Sequence, residues 1–205
     1  MIKVIFFDFD GVLTTDSSGA FTTCTNIQRY LPDVPFDRVL QCYRVNHPKM
    51  LIGQTTHVKI WKEFCKCVGK DIDIKILDDV FRNTPMNTKM LELARMLKNH
   101  YRLGIITDNS KERLDTLKEA KDLPALFEMI VVSGEMGVRK DSEEIFFRAL
   151  EMAQCKPEEC VFIDNSEDNL IAARKFGLHT IFHDHKKNDV GFLSEQLVSL
   201  GVITN

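Results

Sequence analysis

Short apolar runs recur along the chain at 4–7, 103–106, 129–132, 161–163 and 179–182. Each is continuous rather than alternating, the pattern of a strand covered on both faces. Apolar residues at helical spacing fill the stretches between them. Met86, Met90, Leu93 and Leu97 form one such stripe, and Ile145, Phe146, Ala149, Leu150 and Ala153 another. Leu170, Ala173 and Phe176 form a third, with Gly177 as its C-terminal stop, and Leu193, Leu197 and Leu200 mark a last helix. Strands alternating with helices predict an α/β fold with a parallel sheet. Right-handed crossovers make it Rossmann-like, open and doubly wound.

Residues 16–84 break this rhythm. They hold no run that reads as a buried strand, but helical stretches over 36–45, 57–68 and 74–82. Val58, Trp61, Cys65 and Val68 share one predicted helix face, and the single Trp is expected to pack the core of this region. The pattern predicts an α/β core domain from residues 1–15 and 85–205. A helical cap domain, 16–84, is inserted after the first strand, leaving near Thr15 and returning near Pro85.

Composition narrows the function classes. The hydrophobic share is 44%, enough for a buried core, and 27 Lys and Arg oppose 30 Asp and Glu with no basic run. No nucleic-acid partner is therefore expected. The first apolar run is too short for a signal-peptide core, and no stretch is long and apolar enough to span a bilayer. A cytoplasmic protein with no membrane partner is expected. Its six cysteines are expected to be reduced thiols, and Cys65 and Cys67 lack the second pair a zinc site needs.

Open parallel sheets bind ligands at the carboxyl ends of their strands. Asp8-Phe9-Asp10-Gly11 follows the first strand, Thr107-Asp108-Asn109 the second, a loop leading to Lys140 the third, and Asp164-Asn165-Ser166-Glu167-Asp168 the fourth. Asp8 and Asp10 are two apart and repel unless a cation or proton lies between them. With Asp164 and Asp168 nearby, this oxygen-rich edge suits Mg²⁺.

These residues resemble the haloacid dehalogenase (HAD) superfamily over essentially the whole chain. Asp8-Phe-Asp-Gly-Val12, the stretch Ser133-Gly-Glu-Met-Gly-Val-Arg-Lys140 and Phe162-Ile-Asp-Asn-Ser-Glu-Asp-Asn169 carry the likeness. The resemblance implies a phosphatase with an aspartyl-phosphate intermediate. Asp8 would be nucleophile and metal ligand. Asp10 would be general acid and base, ligating the metal through its carbonyl. Thr107 would bind a phosphoryl oxygen with Asp108 or Asn109 beside it. Lys140 would neutralise nucleophile and phosphate. Asp164, with Asn165 as a further candidate, would hold Mg²⁺, and Asp168 would support that region.

Two positions depart from the pattern: Asn165 stands where many relatives carry a second acid, and Asp141 where many carry Pro. The second Asp of D-x-D argues against carbon–halogen hydrolysis, which needs no general acid. Phosphomutase chemistry, or a non-catalytic binding protein on the same fold, stays open. The expected partner is a small phosphorylated metabolite; monomer and homodimer are both open.

Overall fold

The structure, a computed structural model, describes residues 1–204. One parallel sheet has the order β3-β2-β1-β4-β5. Its strands are β1 (Val4–Phe7), β2 (Arg102–Thr107), β3 (Met129–Val132), β4 (Cys160–Asp164) and β5 (His179–Phe182). Helices α1 (Gly19–Gln28), α2 (Phe36–Arg44), α3 (His47–Met50), α4 (His57–Val68), α5 (Ile76–Arg82) and α6 (Thr88–Leu97) lie between β1 and β2. Then come α7 (Lys111–Ala120), α8 (Leu123–Leu126), α9 (Ser133–Met136), α10 (Glu143–Ala153), α11 (Glu167–Lys175) and α12 (Val190–Ser199).

β1 is buried along its whole length because both faces of the sheet are covered. Ile5 and Phe7 point into one core with residues of α6, α7 and α12. Val4 and Phe6 point the other way, into a core with residues of α10 and α11. This period-two split is the reason a central strand reads as a continuous apolar run. The strand order reverses between β1 and β4, where open sheets place their ligand crevice. Phe7 pairs with Ile163, and the Asp8 amide donates to the Ile163 carbonyl at 2.8 Å. One residue further along this register, Asp8 and Asp164 fall side by side.

Helices α1 to α5 bury a separate apolar cluster that includes Ile27, Tyr43, Trp61, Phe64 and Phe81. Trp61 packs there as expected, and its indole N–H donates to the Ile72 carbonyl at 2.7 Å. The chain passes into and out of this region along a short antiparallel bridge between Thr14 and Met86.

Three details differ from the sequence reading. Helix α1 was not legible, because its buried face is built partly from Thr22 and Thr23 rather than from a run of large apolar residues. Val58 is 72% exposed. The buried stripe of α4 runs His57, Ile60, Trp61, Phe64, Cys65, Val68, with His57 taking the inward place in the first turn. Cys42 of α2 and Cys67 of α4 are joined in a disulfide, against the expectation of reduced thiols. The pairing depends on α2 packing against α4, which no local spacing encodes. Among the described residues, Cys24, Cys65, Cys155 and Cys160 are free, and no helix is long and apolar enough to cross a membrane.

Candidate active site

Beyond β1 the chain makes one wide turn, Phe9–Leu13, broken inside by Asp10 (φ −78°, ψ 121°) and Gly11 (φ 83°). The positive φ favours glycine. Space demands it as well, since a Cβ on Gly11 would sit 2.2 Å from the Asn165 amide nitrogen. The Gly11 amide donates to Thr14 Oγ1 at 3.0 Å, which locks the turn. Asp8 and Asp10 are thereby aimed into a cleft of about 440 Å³ at the carboxyl end of the sheet. Thr107, Asp108, Asn109, Lys140 and Asn165 line the same cleft, so most of the residues singled out in the sequence converge.

Lys140 is the electrostatic centre. Its Nζ lies 2.7 Å from Asp8 Oδ1 and 2.8 Å from Asp164 Oδ2, with all three side chains buried. Burial pushes the Asp8 carboxyl well above the usual range, and the neighbouring Asp164 charge adds to the shift while Lys140 opposes it. Burial would lower Lys140, but the carboxylates of Asp164 and Asp8 outweigh it and the ammonium is raised. Asp164 is further held by the Ser166 amide at 2.7 Å and the Asn169 side chain at 3.0 Å.

Asp108 is turned toward the loop after β3. It accepts from the Lys140 amide at 3.0 Å and from Arg139 Nε at 3.1 Å, and so holds in place the segment that carries Lys140. Asn109 donates to Asp10 Oδ2 at 2.9 Å. Asp168 is exposed on α11, and no bond joins it to Asp164 among the described residues. The supporting residue is Asn169, one position on, because a helix of 3.6 residues per turn presents that side chain to the end of β4.

The sequence reading missed Arg113. It is 2% exposed on α7, and its guanidinium grips Asp10 with both outer nitrogens at 2.8 Å. The signal was present in the periodicity, since Arg113 falls on the buried stripe with Leu114 and Leu117. Also missed were Tyr43 and Arg44, which together with His47 bring the helical region to the cleft wall. Burial, and then the charge of Arg113, press His47 down to about 4, so it faces the cleft neutral near pH 7.

Two adjacent buried carboxylates share one ammonium, which leaves a surplus negative charge that adds to the effect of burial on Asp8. That donor set suits a hard divalent cation. Among the described residues no three His, Cys, Asp or Glu side chains form a metal cluster. Asp8 and Asp164 are the carboxylates that meet at Lys140, and Asn165 lines the same cleft.

In fold and in sequence the chain is similar to known hydrolases. A family model described as haloacid dehalogenase-like hydrolase matches residues 2–177. A glyceraldehyde 3-phosphate phosphatase from Pyrococcus furiosus is 30% identical over 46% of this chain and 40% of its own length. A HAD family enzyme from Bacteroides thetaiotaomicron, in a magnesium complex, superposes with a TM-score of 0.75 at 21% identity, covering 94% of this chain and 98% of that one. An L-2-haloacid dehalogenase from Xanthobacter autotrophicus gives 0.66 at 17% identity over 97% and 83%. The chain spans 30% to 36% of the length of several curated relatives it matches. With the family model covering β1 through α11, the chain belongs to the haloacid dehalogenase-like hydrolases.

Proposed function

We propose that the protein is a Mg²⁺-dependent phosphatase acting on a small phosphorylated metabolite, with Asp8 as nucleophile. The observation that carries this reading is the buried pair of Asp8 and Asp164 on Lys140, with a second carboxylate, Asp10, two residues beyond the first. An Asp8 oxygen attacks phosphorus as the bond from phosphorus to the departing oxygen breaks. Asp10 supplies the proton that the departing alkoxide needs. Water then attacks the aspartyl phosphate, Asp10 takes its proton, and phosphate and free Asp8 result. Lys140 offsets the repulsion between carboxylate and phosphate dianion. Mg²⁺, held by Asp8, Asp164, the Asp10 carbonyl and Asn165, would offset the charge of the transferring group. Thr107 and the amides that open α7 supply donors for phosphoryl oxygens. A dehalogenase has no use for Asp10, and that is the reason for preferring phosphate. The helical region, 16–84, serves as a cap whose residues Tyr43, Arg44 and His47 select the substrate.

The test is phosphate release from p-nitrophenyl phosphate with Mg²⁺ and with chelator, for wild type and Asp8→Asn. Mg²⁺-dependent turnover that vanishes in the variant supports the reading. Turnover indifferent to chelator, or retained by Asp8→Asn, sinks it.

A further inference from the structure

The Asp10 carboxylate does not hang free in the cleft. Arg113 Nη1 donates to its Oδ2 and Nη2 to its Oδ1, each at 2.8 Å. Asn109 closes a triangle: its amide donates to Asp10 Oδ2 at 2.9 Å, and its oxygen accepts from Arg113 Nη1 at 3.0 Å. The guanidinium also lies over the Phe9 ring, 5.7 Å from its centroid. On the third side stands the start of α1. A Cβ on Gly19 would come within 2.5 Å of Arg113 Nη1 and 2.7 Å of Asp10 Oδ2. Any side chain at this position would push the Arg113 and Asp10 side chains out of their present places.

We propose that Arg113 is the positioning residue of the acid–base step, and that it leaves Oδ1 as the Asp10 oxygen that exchanges the proton with leaving group and water. The inference rests on the phosphatase reading and deepens it. A carboxylate offers about four lone-pair sites, two on each oxygen. Oδ2 has both filled, by Arg113 and Asn109. Oδ1 has one filled, by Arg113, and keeps one. A two-pronged guanidinium fixes the plane of a carboxylate, which a single ammonium does not. Asp10 therefore presents one oxygen in one orientation, set jointly by its own turn, by α7 and by Gly19 of the helical region. A proton donor so aligned matters most when the departing oxygen is strongly basic.

The experiment compares kcat/KM for phenyl phosphate, whose phenolate is a basic leaving group, with that for p-nitrophenyl phosphate, whose leaving group needs little help. Wild type, Arg113→Met, Arg113→Lys and Gly19→Ala are measured with Mg²⁺, and each is checked for a folded state by its unfolding midpoint. Positioning predicts that Arg113→Met loses at least about tenfold more on phenyl phosphate than on the nitrophenyl ester, general-acid contributions being ~10²–10⁴ in rate. Arg113→Lys should fall between, since a point charge restores attraction without the fork. Gly19→Ala, which disturbs the pair from the opposite side, should show the same selective loss and keeps the test open if Arg113→Met does not fold. Equal losses on both esters, or none, overturn the role of Arg113 and leave the phosphatase reading standing. A wild type that releases phosphate from neither ester overturns the phosphatase reading and this one with it.

Discussion

Lys140→Met is the substitution with the largest consequence for stability. The lysine is 3% exposed and touches Asp8 at 2.7 Å and Asp164 at 2.8 Å, themselves 8% and 0% exposed. Methionine fills the space but leaves two carboxylates adjacent and unpaired away from water. Breaking a buried charge pair by removing one partner costs ~3–5 kcal/mol. At about 2–4 °C per kcal/mol for a chain of this size, the melting point should fall by about 6–20 °C. The pH dependence has a definite sign. A carboxyl whose folded pKa is raised, as burial raises Asp8, binds its proton more tightly folded than unfolded. Stability is then lost as pH rises through and above the unfolded value. The deficit of Lys140→Met relative to wild type should be largest at pH 8 and smaller at pH 5. Adding Asp164→Asn should recover at least half of it, because one neutral amide removes the repulsion. The assay is urea unfolding of the three proteins in chelator at both pH values. A Lys140→Met deficit below about 1 kcal/mol at pH 8 would refute the reasoning, and so would a double variant no better than the single one.

Further outcomes follow from other contacts. His47, at about 4 against an ordinary 6.5, takes up its proton less readily folded than unfolded. Stability should drop as pH falls from 6.5 toward 4, by ~2 kcal/mol at pH 5, and His47→Gln should flatten that limb in urea titrations. The Cys42–Cys67 disulfide closes a loop with a sequence separation of 25. Reductant should therefore cost ~3 kcal/mol of stability, while Cys42→Ser/Cys67→Ser, already lowered, should not respond. Gly11→Ala forces a side chain into a left-handed position against Asn165. It should cost ~1–3 kcal/mol and lower kcat at least tenfold by moving Asp8 and Asp10; unchanged kcat would show that the turn tolerates the shift.

Local pattern alone determined the strands, helices α6, α10, α11 and α12, and the residues at the carboxyl ends of β1, β2 and β4. A strand buried on both faces, such as Val4–Phe7, must be continuously apolar, so an Asp at its end stands out in one dimension. The same holds for Asp164 after β4. Tertiary structure alone decided what those residues touch. Asp10 and Arg113 stand 103 positions apart and meet only because α7 packs beside the β1 turn. Asn169 rather than Asp168 reaches Asp164 because of the phase of α11. Cys42 finds Cys67 because α2 lies on α4. Periodicity records which face of an element is buried, since solvent acts on each residue separately; it holds no record of which element covers that face, since that choice belongs to the packing of the whole chain.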